Sequence, residues 1–442
     1  LEDSLNHYSK TILRKLSEAG VKIGDRIRVA NRSNIYEGIL MPRPILGDKE
    51  SIVIKLSNGY NIGIRVDEDT VIDKIEEKTI SMEVKSRCME TYRDKPRVYI
   101  IGTGGTIASR VDYLTGAVYP ALTPEELYQL IPELSDIAIL ESESLFNIFS
   151  EDMDPKKWEK ISERVFDKIV EGYDGIVIPH GTDTMGYTAA ALSFSIRNPP
   201  IPIVLTGAQR SSDRPSSDAY INMICATITA SKAPFAEVTV VMHSTSNDET
   251  CIAHRGTKVR KCHTSRRDAF KTINAKPIAT INPNGEIIMH VKDYNPRRRD
   301  IEGASLEAKF DDKVALIKVY PGMNDEIIHY LIDKGYHGIV IEGTGLGHVP
   351  QWIINALKRA IENEIPVVMT SQCLWGRVNM NVYRRGVELL EIGVIPGQDM
   401  LPETALVKLM WTLAKTRNMS EIREIMLSNI AGEISVKSEY EV

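Results

Sequence analysis

Short, almost wholly apolar runs that end abruptly in loops of glycine, threonine and acid constrain this chain more than any other feature. RVYIIGTGGT begins at Arg97 and DGIVIPHGTDT at Asp174; IPIVLTGAQ and EVTVVMHS follow. Helix-like stretches, TMGYTAAALSFSI and SDAYINMICATIT, lie between them. Buried strands alternating with helices predict a parallel α/β sheet. Thr123-Pro124-Glu125-Glu126 and Asp154-Pro155 have the N-cap and first-turn proline of helix starts. In such a sheet, ligands bind outside the carboxyl ends of the strands, so the loops just after the apolar runs are where chemistry is expected.

The rhythm restarts near residue 312 with VALIKVYPG, GIVIEGTGLG and PVVMTSQ, interleaved with WIINALKRAIENE and ETALVKLMWTLAK. Between about 262 and 312 it lapses, which predicts an irregular inter-domain connection with a hairpin at Asn284-Gly285. Ahead of residue 90 the period is two: Tyr60, Ile62, Ile64 and Val66 alternate with polar residues and glycine, and Asn58-Gly59 is a hairpin turn signal. With GDRIRVA and NIYEGILM, this predicts a small antiparallel barrel or sheet, joined by the charged linker EEKTISMEVKSRCMETYRDKP. The expected domains are 1–90, 96–290 and 312–442.

An apolar share of 43% against 26% charged residues is enough to fill such cores. The net charge of -6 exerts no global pull on nucleic acid or an anionic membrane, and the arginines at 297–299 and 266–267 read as solvated loops. The five cysteines have no CxxC spacing, which predicts reduced thiols in a cytoplasmic protein. Cys251/His254 and Cys262/His263 lack a second pair at ligand spacing, so no metal site is expected. No run is long enough for a membrane span, and LEDSLNHYSK has no apolar core of signal-peptide type.

Two loops are chemically loaded. Gly102–Thr106 (GTGGT) fails both phosphate-binding patterns: no GK[ST] ending follows, and Ile107 stands where a dinucleotide fingerprint needs glycine. Its glycines let backbone approach a ligand, and its two threonines can offer hydroxyls. His180–Thr184 sets a hydroxyl beside a carboxylate at Thr182 and Asp183, although Asp183 could merely cap the following helix. Lys261, in VRKCHTS, would be a surface charge unless partly desolvated beside a hydroxyl, where its pKa falls and it can serve as a base. Thr182, Lys261 and Asp183 then repeat triad logic with lysine in the histidine's place.

TGGTI and HGTDTM, in this order and on this rhythm, resemble the two signature loops of the bacterial-type asparaginase/glutaminase family over about residues 96 to 420. The resemblance implies an α/β fold of two asparaginase-like domains, larger then smaller, here preceded by a small β-barrel-like domain. It implies Thr106 as the nucleophile, and Thr182, Asp183 and Lys261 as the proton-moving set. Lys261 keeps the family register with Val259 and Phe270, with Lys258 as the fallback. Ser150 stands where the family holds the substrate's α-carboxylate. Glu151 replaces a common glutamine and could receive the ammonium group. A loop tyrosine, Tyr113 or Tyr119, is also implied. The reaction is double displacement: a threonine, most simply Thr106, attacks the carboxamide, ammonia leaves, and water hydrolyses the acyl-threonine. No cofactor or metal is required.

The β-rich front, TGAVYPALTPEEL and EGTGLGHVP make the whole chain similar to the D subunits of archaeal glutamyl-tRNA(Gln) amidotransferases. That resemblance implies ammonia release from Gln or Asn and an E subunit partner that uses ATP and Mg to activate Glu-tRNA(Gln). It also implies a D2E2 assembly built on a D homodimer, with tRNA held mainly by the partner in the cytoplasm, away from membranes. A stand-alone cytoplasmic asparaginase and an inactive scaffold are the other readings. The second is opposed by the presence of both threonines, the aspartate and the lysine.

Overall fold

The computed structural model describes residues 8–31, 34–41, 48–56, 61–75, 95–104, 109–111, 118–120, 127–128, 131–210 and 217–440. Contacts group the chain into two compact units, one of Leu1–Asp94, Ala108–Ala121 and Arg210–Ser217, the other of the remainder.

In the first unit, strands β1 (Arg26–Asn31), β2 (Asn34–Leu40), β3 (Ser51–Leu56), β4 (Asn61–Arg65) and β5 (Val71–Lys74) form an antiparallel sheet in the order β4-β3-β2-β1-β5. The predicted alternation is realised: Ile27, Val29, Ile52, Ile54 and Ile64 are buried. β3 pairs with β4 as a hairpin, while the Asn58-Gly59 turn lies outside the described residues. A helix not anticipated, α1 (Lys10–Glu18), closes the core with Ile12 and Leu16, four residues apart on one face. Its sequence signal is the Ser9 N-cap, whose hydroxyl accepts from the Ile12 N–H.

The second unit holds an eight-stranded sheet. Its parallel part is β6 (Arg97–Gly104), β7 (Ile139–Ile148), β8 (Gly175–Pro179), β9 (Ile203–Thr206) and β10 (Val238–His243). β11 (Cys251–Arg255) adds antiparallel to β10. A separate hairpin, β12 (Val259–Lys261) with β13 (Phe270–Thr272), follows. The sheet then continues through β14 (Ala279–Ile281) and β15 (Ile287–Met289), giving the order β15-β14-β11-β10-β9-β8-β6-β7. The stretch from 262 to 312 is therefore partly sheet edge and not only connection. Strands of three residues are too short to show a period. The hairpin at Asn284-Gly285 is present, with Gly285 at φ +102°.

The second α/β layer has four parallel strands in the order β16 (Val314–Lys318), β17 (Gly338–Gly343), β18 (Val367–Ser371) and β19 (Ile395–Pro396). Helix α2 (Pro155–Val170) starts as predicted, Asp154 accepting from the Lys157 N–H. Helix α3 (Met185–Ser195) is buried almost all round: Met185, Ala189 and Leu192 face the large-sheet core, whereas Ala190, Ala191 and Phe194 enter a second core with Trp411. A helix without a polar face must lie between two apolar layers. Trp411 belongs to α4 (Pro402–Leu413), and its ring lies 5.8 Å from that of Phe194. The loop that opens α3 is thus anchored by both layers.

Candidate active site

β6 lies between β7 and β8, all three parallel, so the ends of β7 and β8 flank the end of β6. β8 delivers His180–Thr184, and β7 delivers Ser150 and Glu151 in a single 3-10 turn. β6 ends at Gly104; Thr106 lies outside the described residues. Gly104 has φ +113°, and a Cβ there would stand 2.2 Å from the Ile148 carbonyl oxygen, so only glycine fits. Thr103, expected to offer a hydroxyl outward, is instead buried and donates to the Pro179 carbonyl at 2.9 Å, tying β6 to β8. Tyr113 is outside the described residues. Tyr119 lies in a short hairpin pairing Ser109–Val111 with Val118–Pro120.

Thr182, Asp183 and Lys261, separated by nearly eighty positions, meet. The Lys261 ammonium donates to Thr182 Oγ1 at 2.9 Å and to Asp183 Oδ1 at 2.8 Å. Lys261 ends β12, and Phe270, buried on β13, is its cross-strand partner. The Lys261 side chain is 14% exposed and that of Asp183 is 69% exposed. A pair so open to water contributes no more than about 1 kcal/mol to stability, so its consequence is geometric. Asp183 is not the helix cap: Thr184 holds that position without a side-chain cap bond, and its hydroxyl donates to the Ser150 carbonyl at 2.6 Å. The methyl of Thr182 faces Gly207, where a Cβ would come within 2.9 Å of it. That packing turns the hydroxyl toward Lys261.

The fallback lysine has another task. Lys258 is fully buried and donates to Asp399 Oδ2 at 2.8 Å, on the second α/β layer. Burial holds its pKa below the usual lysine value against the opposing pull of Asp399.

Ser150 is buried against the second loop: a Cβ on Gly181 would stand 2.7 Å from Ser150 Cβ. The Ser150 hydroxyl lies 3.4 Å from the exposed Glu151 carboxylate. Ser150 and the Thr182–Asp183–Lys261 set therefore share one end of the sheet. Among the described residues, no three His, Cys, Asp or Glu side chains are grouped to hold a metal ion, and no helix is long and apolar enough to cross a membrane. Cys225 and Cys251 are buried free thiols, Cys262 and Cys373 exposed ones; Cys88 is outside the described residues.

Residues 97–294 match the family model described as asparaginase, N-terminal, and 313–426 match the glutaminase/asparaginase C-terminal domain. Residues 21–75 match the GatD N-terminal domain. The D subunit of the glutamyl-tRNA(Gln) amidotransferase of Pyrococcus abyssi is 54% identical over 95% of this chain and 96% of its own. The chain belongs to the family of amidotransferase D subunits. The D subunit of Methanothermobacter thermautotrophicus, 47% identical over 98% of both chains, extends that family relation across the full fold. Two solved L-asparaginases each align with 77% of this chain. The thermostable enzyme of Thermococcus kodakarensis has a TM-score of 0.69 at 38% identity over 99% of its length. L-asparaginase I of Vibrio cholerae has 0.67 at 29% identity over 100% of its length. This member of the D subunit family thus joins a front β domain to an asparaginase-type body.

One site residue escaped sequence reasoning although its loop did not. His180 is buried, and burial lowers its pKa to about 4 from 6.5. A group whose folded-state pKa is depressed contributes stability above its unfolded value, and that contribution is lost as pH falls. Between pH 6.5 and about 4 this histidine alone removes up to about 3 kcal/mol. Unfolding midpoints measured from pH 7 to 4 should therefore fall less steeply in His180→Asn than in the parent chain.

Proposed function

We propose that the chain is the ammonia-releasing subunit of a tRNA-dependent amidotransferase, acting in the cytoplasm. The observation that carries this is the Lys261 ammonium held within hydrogen-bond reach of both the Thr182 hydroxyl and the Asp183 carboxylate. A threonine hydroxyl, Thr106 in the first displacement, attacks the side-chain carboxamide of Gln or Asn. Its proton passes through the Thr182–Lys261–Asp183 set to the departing nitrogen, which leaves as ammonia. Water then opens the acyl-threonine ester and releases the acid. Loop N–H groups at the strand ends stabilise the oxyanion, each worth about 10²–10³ in rate at comparable sites. Ser150 receives the substrate's α-carboxylate and Glu151 its ammonium. None of these steps calls on a cofactor in this chain.

The ammonia passes to an E subunit that activates Glu-tRNA(Gln) with ATP and Mg, in a D2E2 assembly around a D homodimer. The front domain favours this over a stand-alone asparaginase, since both similar L-asparaginases are covered almost completely by only 77% of the chain. The purified chain is expected to hydrolyse glutamine slowly. Adding the E subunit, Glu-tRNA(Gln) and ATP should raise the rate several-fold. Full turnover by the chain alone, indifferent to those additions, would leave the plain asparaginase reading in its place.

A further inference from the structure

His180 sits immediately before the Gly181-Thr182-Asp183 loop, wholly enclosed, and takes no part in the proton transfers above. Its two ring nitrogens have different partners. Nδ1 lies 2.7 Å from the Gly181 carbonyl oxygen, and Nε2 lies 2.9 Å from the Thr188 hydroxyl. A carbonyl oxygen only accepts, so Nδ1 carries the hydrogen. Burial keeps the ring neutral, so Nε2 is bare and accepts from the Thr188 O–H. Thr188 in turn accepts from the Trp158 indole N–H at 3.1 Å, and that indole can only donate. Every hydrogen in the chain Trp158–Thr188–His180–Gly181 therefore points one way, toward the loop.

The far end of this relay is firmly seated. Trp158 and Thr188 are buried, and the Trp158 ring packs edge-on against Phe310, 5.7 Å between centroids, in the core that joins the two α/β layers. At the near end, Gly181 is pressed against Ser150. A trans peptide is planar, so fixing the Gly181 carbonyl fixes the Thr182 N–H in the opposite direction. It also fixes where the Thr182 side chain leaves the backbone.

We infer that His180 is a positioning residue: as a neutral Nδ1–H donor it sets the Gly181–Thr182 peptide and so holds Thr182 in line with Lys261. This rests on the proposed threonine chemistry. The alternative is that the ring merely fills space and anchors α3 through Thr188.

Two substitutions separate these roles, because asparagine and glutamine each reproduce one nitrogen of the ring. His180→Asn places an amide N–H where Nδ1 was and keeps the bond to Gly181. His180→Gln reaches Thr188 and loses the bond to Gly181. In ammonia release with the E subunit, Glu-tRNA(Gln) and ATP present, His180→Gln should lower kcat about 10–100-fold with little change in KM, the penalty of a small misplacement. His180→Asn should recover most of that loss. Nitrogen-15 spectra of the histidine-labelled full chain should show the Nδ1–H tautomer for the resonance that disappears in His180→Asn. An Nε2–H tautomer there, or His180→Gln with the parent kcat while Thr182→Val is inactive, overturns the inference. Thr182→Val with full activity would instead remove the threonine reading on which it rests.

Discussion

Thr182→Val is expected to abolish ammonia release, lowering kcat by about 10⁴-fold or more, the loss typical of removing one member of a catalytic set that works as a unit. Valine preserves the volume and the methyl that faces Gly207, and it deletes only the hydroxyl that Lys261 holds at 2.9 Å. The ammonium keeps Asp183 as a partner at 2.8 Å, so the fold should lose no more than about 1 kcal/mol. Thr106→Val should be equally inactive, because attack and proton transfer need both hydroxyls. The measurement is ammonia released from glutamine under the stimulated conditions, beside the thermal midpoint of each variant. Substantial turnover in both valine variants would exclude threonine as the nucleophile.

The largest effect on stability is expected at a residue with no place in the chemistry. Asp399→Ala strips the counter-charge from Lys258, and both side chains are fully buried. A buried ammonium left alone costs about 3–5 kcal/mol. Here the loss is compounded because Asp399 also accepts the Ser435 N–H at 2.9 Å. Lys258→Met with Asp399→Leu in the same chain should regain part of the midpoint, since replacing both ions removes two desolvation costs with their mutual attraction, while the Ser435 N–H and the Arg377 guanidinium, 3.7 Å from Asp399, still lose their acceptor. Equal midpoints for the parent and Asp399→Ala would show that the pair does not hold these layers together. Lys258 lies three positions before Lys261, so the single variant should also lose activity as the β12 hairpin loosens from the second layer.

The lysine pair shows where sequence reasoning stops. Lys258 and Lys261 stand three positions apart, and either can be read as the base from the sequence. What separates them is strand geometry: Lys261 ends β12 opposite Phe270 and reaches the β8 loop, whereas Lys258 precedes β12 and is turned into the other α/β layer. The strand ends at Gly104 and Pro179 are legible as apolar runs meeting glycine. The hairpin of β14 and β15 is legible only at its Asn284-Gly285 turn, because strands of three residues show no period. Helix α1 carries its signal in the Ser9 cap, a single serine that means little until its hydroxyl is seen bonded to the first turn. Thr103 and Thr106 share a motif, yet Thr103 is spent on tying β6 to β8, and a list of hydroxyls does not say which way each one points.

Local pattern alone, then, determined the alternation of buried strands and helices, the two loops that carry hydroxyl and acid, and the antiparallel front sheet. These follow from period and turn chemistry, which act over a few residues. Tertiary structure decided which lysine meets Thr182, that Asp183 pairs with it instead of capping α3, and that His180 is buried behind the loop with Nδ1 against the Gly181 carbonyl. Each of those depends on groups brought together by the fold and desolvated as one, and no neighbouring residue in the chain encodes that.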